Sequence, residues 1–182
     1  MKKLLLTLSS ISLTVIPSLN IISCQTKNDD EDYFIPTEQP KNIEEIEESA
    51  KIATDKSEDF KINLEKEWSE YKIKIDFENM TEEEQEIERT NFSFNSNDLQ
   101  KDNIYRFWLL IYSYKVFQFN EEYSNEFKTD KGRTVRLSAR NKNEFEEASK
   151  IFFNNKYSNK QTKEHFNKMY NWAIQDNPNV SE

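Results

Sequence analysis

The sequence contains one cysteine, Cys24, and one histidine, His165, in 182 residues. A serine or cysteine nucleophile activated by histidine would therefore need His165. Its neighbours Lys163, Glu164 and Phe166 include no second histidine of the kind that a helical zinc-protease motif requires. One histidine and one cysteine are also too few ligands for a zinc or copper centre. The sequence thus predicts no metal, no cofactor and no histidine-based catalytic site, with His165 half-buried on the last helix.

The densest basic stretch of the chain lies between residues 128 and 142 and contains six cations and one acid, Asp130. The six cations are Lys128, Lys131, Arg133, Arg136, Arg140 and Lys142. Such side chains on a hairpin would bind a phosphate, a lipid headgroup or an acidic protein. Alternatively, they pair with the acidic first half of the same domain. No aromatic residue lies among residues 133–142, so the stretch lacks the stacking side chains of single-strand nucleic-acid binders.

Acidic residues predominate in the first half of the chain. Residues 24–90 carry 22 acidic and 9 basic side chains, a net charge of −13, whereas residues 91–182 carry a net charge of +2. An acidic half of this kind is repelled by nucleic acid, so we expect no nucleic-acid partner. An alternative function, a carboxylate-dependent hydrolase holding an anionic substrate, would need acids gathered in a concave site near Arg133, Arg136 or Arg140. No spacing of acids in the sequence marks such a pair.

The first 24 residues have the pattern of a secretory signal. Residues 1–3 carry two lysines, and residues 4–23 are uncharged and largely apolar. Several serines, two threonines, a proline and an asparagine make residues 4–23 a poor membrane-spanning helix. An ordinary signal peptide would leave Cys24 unexplained, because a lone cysteine in an exported protein has no internal disulfide partner. Ile21, Ile22 and Ser23 stand directly before it.

This combination resembles the lipobox of bacterial lipoproteins, in the variants typical of mollicutes. The matching features are an aliphatic residue three positions before the cysteine, a small residue directly before it, and Cys24 itself. The resemblance covers residues 1–24 and implies that a diacylglyceryl group is attached to the sulfur of Cys24. It also implies cleavage before Cys24 and a lipid anchor in the outer face of the bacterial cell membrane.

The residues after Cys24 divide into a tether and a helical region. Residues 24–41 contain two prolines, several acids and little periodicity, so we expect a flexible acidic tether. From Asn42, which forms a capping box with Glu45, apolar residues recur at helical spacing as far as Tyr71. Residues 71–77 alternate between apolar and polar types, which fits either the end of this helix or a short strand.

Two further helices are predicted in the middle of the chain. Thr81 and Glu84 form a capping box that begins a short helix ending at about Arg89. Asn97 caps the next segment, which is apolar on nearly every side as far as Glu126. A helix of that composition is typical of the centre of a bundle.

The last third of the chain predicts a hairpin and two helices. Gly132, the one glycine, follows Asp130 and Lys131 in a sequence typical of a turn with positive φ, and alternating apolar residues follow it. Asn141 and Ser158 each precede a helical stripe as N-caps. The predicted fold is therefore mainly α: a small bundle of four or five helices with a short β-hairpin near Gly132.

These patterns predict a signal peptide (1–23), a lipidated cysteine with a tether (24–41) and one helical domain (42–182). With no catalytic constellation, we expect a binding or interaction module rather than an enzyme. The expected partners are the membrane, through the lipid on Cys24, and a protein or anionic molecule. The sequence leaves the ligand and the oligomeric state open.

Overall fold

The structure is a computed structural model that describes residues 34–180. The signal segment, Cys24 and most of the predicted tether lie outside these residues. Residues 34–180 contain five α-helices, a short 3-10 helix and a two-stranded hairpin. In chain order they are α1 (Ile43–Lys74), η1 (Phe77–Asn79), α2 (Glu82–Asn95), α3 (Asn97–Phe119), β1 (Ser124–Lys128), β2 (Thr134–Ser138), α4 (Lys142–Phe153) and α5 (Lys160–Ala173). The predicted mainly α fold with one hairpin is confirmed.

Helix α3 lies at the centre of the domain, and α1, α4, α5 and β2 all pack on it. Phe107 of α3 is fully buried, with its ring centroid 4.9 Å from that of Phe152 and 5.1 Å from that of Phe166. On another side of α3, Val116 packs with Ile46 of α1 and Leu137 of β2. The prediction of a central helix is therefore confirmed. Apolar side chains point to every side of α3, and each side needs a neighbouring element to cover it. Within residues 34–180, no helix is both long and apolar enough to cross a bilayer.

Side-chain caps define where most helices begin. Thr81 and Glu84 form the predicted capping box of α2, and Asn141 and Glu144 form that of α4. Asn42 caps α1 through a hydrogen bond of 2.9 Å from the backbone N–H of Glu45. Each cap accepts a hydrogen bond that the first turn of a helix cannot make internally, which is why the sequence locates these helix starts well.

Two predicted caps are wrong by one residue. The N-cap of α3 is Ser96, not Asn97, and its hydroxyl accepts a hydrogen bond of 3.3 Å from the backbone N–H of Leu99. The N-cap of α5 is Asn159, not Ser158, and its carboxamide oxygen accepts a hydrogen bond of 2.9 Å from the backbone N–H of Thr162. In both cases two adjacent residues have good capping side chains, so the sequence does not separate them.

Two helix ends also differ from prediction. Helix α3 ends at Phe119 and does not continue to Glu126, because Asn120 leaves the helical conformation and accepts a hydrogen bond from the backbone N–H of Glu122. Residues 124–128 then form β1 rather than a last helical turn. Helix α2 extends past Arg89 to Asn95.

Residues 71–77 are the end of α1 and the turn after it, not a strand. Helix α1 ends at Lys74, and Asp76 then adopts a left-handed conformation with a φ of 56°. The carboxylate of Asp76 accepts a hydrogen bond of 2.8 Å from the side chain of Asn79, a local bond of the kind that lets aspartate adopt this conformation. The turn places Phe77 in a buried position.

The hairpin has the predicted turn at Gly132, whose φ is 77°. Strands β1 and β2 are antiparallel, with Phe127 opposite Val135 and Asn125 opposite Leu137. Val135 and Leu137 are buried because successive side chains of a strand point to opposite faces, and these two face α1 and α3. The residues between and beside them, including Arg136, face outward.

The described part of the predicted tether packs on the domain. Pro36, Gln39 and Pro40 are buried, and the side chain of Gln39 donates a hydrogen bond of 3.1 Å to the backbone oxygen of Trp172. The side chain of Asn177 donates a bond of 2.9 Å to the backbone oxygen of Pro40. Residues 34–41, which we call the strap, therefore belong to the domain, and the domain begins earlier than residue 42.

We expect Phe107→Ala to lower the free energy of unfolding by about 3–5 kcal/mol, because it removes a ring from the centre of the core and leaves a cavity. Ile151→Ala on α4 is the matched control, since Ile151 is 73% exposed, and we expect a change within about 0.5 kcal/mol. Urea denaturation followed by circular dichroism measures both values. Equal losses in the two variants would contradict the central position of Phe107.

Candidate functional site

Two of the six predicted cations contact acidic residues of α1. Arg133 lies at the end of the hairpin turn, and its guanidinium is 2.6 Å from a carboxylate oxygen of Asp59 and 3.5 Å from one of Asp55. It also donates a hydrogen bond to the backbone oxygen of Asp55. The ammonium of Lys131 lies 2.5 Å from the other oxygen of Asp59. Lys131 and Arg133 together hold the pKa of Asp59 below its usual range.

The other four cations lie on the surface in different surroundings. Arg136 is paired with Glu126 on the opposite strand at 2.7 Å, and Lys142 lies 4.0 Å from Glu146 on α4. Lys128 donates a hydrogen bond to the hydroxyl of Thr134, and Arg140 is exposed. The structure therefore separates the predicted basic patch into a pair that binds α1 and four surface cations.

The carboxylates nearest Arg133 are Asp55 and Asp59, and both are engaged in ion pairs with Arg133 or Lys131, while the carboxylate nearest Arg136 is Glu126. Within residues 34–180, no three or more histidine, cysteine, aspartate or glutamate side chains are placed to hold a metal ion. The buried carboxylate is Asp102 of α3, which accepts a hydrogen bond of 2.5 Å from the hydroxyl of Ser57 of α1. Burial raises the pKa of Asp102. Its contact joins α1 to α3 inside the core.

His165 is buried rather than half-buried, with 3% of its surface exposed. Helix α5 places it on the same inward face as Phe166 and Met169, because residues three and four apart share a helix face. Burial, with a smaller contribution from nearby Lys168, lowers the pKa of His165 to about 4. The imidazole is therefore neutral at pH 7 and part of the core.

Lys115 of α3 is a third ionisable group in the core, after Asp102 and His165. It is fully buried, and its ammonium donates a hydrogen bond of 3.4 Å to the backbone oxygen of Gln175, just after α5. The ammonium also lies 5.2 Å from the centre of the Trp172 ring. Burial lowers the pKa of Lys115 to about 8. A positive charge at this position interacts favourably with the negative end of the α5 dipole. Lys115 therefore has a structural role.

A surface that the sequence does not single out lies at the end of α1. We call residues 61–96 the aromatic arm: the last part of α1, η1 and α2. Its two helices meet through Trp68, Tyr71, Phe77 and Phe92, with the Trp68 ring centroid 4.9 Å from that of Phe92 and 5.1 Å from that of Phe77. The Tyr71 hydroxyl donates a hydrogen bond of 2.6 Å to Glu88 of α2.

Open cavities flank Phe92 of the aromatic arm on two sides. One has a volume of about 360 Å³, and its lining includes Glu70, Tyr71 and Asn95. The other has a volume of about 320 Å³, and its lining includes Leu64, Trp68 and Leu99. Four large apolar side chains of the arm are also substantially exposed: Ile62, Ile73, Ile87 and Phe94. The arm therefore has both open cavities and exposed apolar side chains.

The sequence conceals the arm because Leu64, Trp68 and Tyr71 continue the same helical stripe that packs in the core at Ala50 and Ala53. The difference in length between α1 and α3 is the feature that indicates the arm. An α1 of 32 residues is about 48 Å long, whereas an α3 of 23 residues is about 35 Å long, so α1 extends beyond the helix that covers it. The part of α1 that extends lies beyond the start of α3, where the hydroxyl of Ser96 donates a hydrogen bond of 3.3 Å to Glu67.

In comparisons with known proteins, no protein-family model, curated protein or solved structure matches the chain. We therefore infer function from the residues and geometry of this chain alone.

We expect Arg133→Gln to lower the urea midpoint clearly, because it leaves Asp55 and Asp59 without their shared guanidinium. Arg136→Gln is the matched control on the exposed face of β2 and should leave the midpoint nearly unchanged. A double-mutant cycle of Arg133→Gln with Asp59→Asn should give a loss smaller than the sum of the two single losses. Additive losses would contradict a direct interaction.

The pH dependence of stability should report the burial of His165. Its pKa of about 4 in the folded chain is below the ordinary value of 6.5, so the unfolded chain binds more protons between these values. The contribution of the neutral, buried imidazole to stability is therefore complete above pH 6.5. It is lost as the pH falls towards 4, which lowers the free energy of unfolding by about 3 kcal/mol. We expect the free energy of unfolding of His165→Gln, measured by urea denaturation, to depend less steeply on pH over this range.

Adding Asn171→His to the His165→Gln variant supplies the control, because residue 171 is exposed on the same helix. An exposed histidine should not restore the pH dependence. If it does, or if the wild type and His165→Gln have the same pH profile, His165 is not buried as described.

Proposed function

We propose that the chain is a bacterial lipoprotein, anchored through Cys24 to the outer face of the cell membrane, whose helical domain is an interaction module. The observation that carries this proposal is the sequence Ile21-Ile22-Ser23-Cys24 after a positively charged start and an uncharged apolar segment. Lipid attachment explains why this residue is a cysteine, why it stands directly after the apolar segment and why the sequence contains one cysteine. Two acyl chains on one residue are enough for stable anchoring.

The packing of the strap limits how far the domain would lie from the anchor. The chain from Cys24 to Phe34 covers ten residue steps, which span at most about 35 Å when fully extended. The strap lies beside the start of α1, and α1 is about 48 Å long. The aromatic arm is thus at the end of α1 that is remote from the proposed attachment, where a partner outside the cell would reach it.

The surface of the arm supports the interaction role. Ile73 is 83% exposed and Ile62 is 58% exposed, and the two open cavities of the arm have aromatic rings in their linings. Exposed apolar side chains and open, partly apolar cavities are features of surfaces where another molecule binds. The basic segment, residues 128–142, contributes less to this role, since two of its cations are already bound to α1.

We expect Cys24→Ala to move the protein from the detergent phase to the aqueous phase on Triton X-114 separation, because the residue that carries the acyl chains is lost. Ser23→Ala is the matched control: it keeps a small residue before the cysteine and should stay in the detergent phase. Mass spectrometry of the wild type should find Cys24 as the first residue with a diacylglyceryl thioether. An unmodified cysteine, or unchanged partitioning of Cys24→Ala, would refute the anchor.

A further inference from the structure

Strand β1 is the outer strand of the hairpin, and one of its edges has no partner strand. Strand β2 is the one that packs on α1 and α3, and within residues 34–180 the sheet consists of these two strands. Four of the five residues of β1 are exposed, and the fifth, Phe127, is half-buried. An unpaired strand edge presents a row of backbone donors and acceptors on which another strand can pair.

The pairing of β1 with β2 determines which backbone groups face the free edge. The backbone N–H of Thr129 donates a hydrogen bond of 2.9 Å to the backbone oxygen of Arg133, directly opposite it. In an antiparallel pair, hydrogen-bonded residues alternate with residues whose backbone groups point away from the partner. The backbone groups that point away from β2 are therefore those of Ser124, Glu126 and Lys128. Within residues 34–180, no turn or loop backbone bonds to them.

The sequence of β1 is complementary to itself in one antiparallel register. A twofold axis perpendicular to the sheet places one residue of β1 opposite its own copy, because paired residues point to the same face. With Phe127 on the axis, Glu126 of each copy lies opposite Lys128 of the other. With Glu126 on the axis two like charges would be opposite each other, and with Asn125 on it Glu126 would lie opposite Ser124.

We propose that β1 binds β1 of a second copy of this chain in the register centred on Phe127, so that two hairpins form one four-stranded antiparallel sheet. This inference goes beyond the proposed lipoprotein role. It depends neither on the lipid anchor nor on the aromatic arm.

Both faces of the joined strands have favourable pairs in this register. On the outer face, Glu126 already lies 2.7 Å from Arg136 of β2, so each Glu126 would have a cation on either side. On the inner face, Phe127 has Lys51 of α1 at 5.7 Å from its ring centre. The two copies of Phe127 would form a pair without mutual hydrogen bonds, with Cα atoms about 4.5 Å apart. Aromatic and opposite-charge pairs across strands both stabilise a sheet.

The order of charges on the edge favours a second copy over an extended segment of another protein. Charged residues on a short edge strand usually prevent pairing with other strands. An antiparallel partner of β1 needs a cation opposite Glu126 and an anion opposite Lys128, with one residue between them. The sequence of β1 read in the reverse direction has this order. Strands with like charges at those positions are disfavoured.

The test uses the chain from residue 24 with Cys24→Ser, which keeps every described residue and needs no detergent. Sedimentation velocity over a range of concentrations gives the dissociation constant of the dimer. We expect Glu126→Lys and Lys128→Glu each to weaken dimerisation at least about tenfold, because like charges then face each other at two positions. Glu121→Lys, on the exposed turn before β1, is the matched control for Glu126→Lys and should dimerise as the parent does.

Mixing the two single variants tests the register. The Glu126→Lys and Lys128→Glu chains, combined in equal amounts, should form a heterodimer, because two lysines of one edge then lie opposite two glutamates of the other. The double variant Glu126→Lys with Lys128→Glu also restores opposite charges, and its dissociation constant should return to within about threefold of the parent's. Circular dichroism should show the helix content of the parent in every variant.

Glu126→Pro tests the backbone pairing itself. It removes an N–H that points to the free edge and keeps the hydrogen bonds of the hairpin, so we expect a folded monomer. A parent that stays monomeric up to about 1 mM would overturn the proposal. Dimerisation that Glu126→Pro and the charge variants leave unchanged would also overturn it, and a mixture that stays monomeric would overturn the register. If the parent is monomeric while Cys24 is found lipidated, this inference fails and the anchor stands.

Discussion

The burial of α3 is the constraint on which the rest of the structure depends. This helix carries apolar side chains on all sides, so it is stable only when α1, α4, α5 and β2 cover it together. The same burial brings polar groups into the core, and two charged ones have specific partners. Asp102 binds Ser57 of α1, and Lys115 binds the backbone of Gln175 after α5. Buried polar groups are costly without partners, so these bonds favour one arrangement of the helices around α3.

Only part of α1 is needed to cover α3. The rest of α1 extends beyond α3 and forms the aromatic arm with η1 and α2. Gln100, near the start of α3, donates to the backbone oxygens of Ser93 and Tyr157 and accepts from the backbone N–H of Asn159. It thereby joins the end of α2 to the loop before α5. Beyond this junction, among residues 34–180, the last turns of α1 pack against η1 and α2. Large rings such as Trp68 hold those helices apart and leave cavities between them.

Local chemistry made much of the fold predictable from the sequence. The caps at Asn42, Thr81 and Asn141 and the turn at Gly132 each depend on a few adjacent residues, and the structure has all four. What the sequence missed depends on contacts between distant residues. The strap reads as a tether until Asn177 is found beside it, and the arm reads as core until the contact of Ser96 with Glu67 shows where along α1 the start of α3 lies. Cys24 remains a prediction from the sequence, since it lies outside the described residues.

The distribution of charge connects these features to function. Along α1 the carboxylates of Asp55 and Asp59 are neutralised by Arg133 and Lys131, so the basic hairpin serves the fold at that point. On the arm, Glu86 pairs with Lys156, Glu78 with Lys72 and Glu70 with Lys66. These pairs of the arm are largely exposed, so they contribute little to stability, whereas the pair of Arg133 with Asp55 is mostly buried and holds the hairpin on α1.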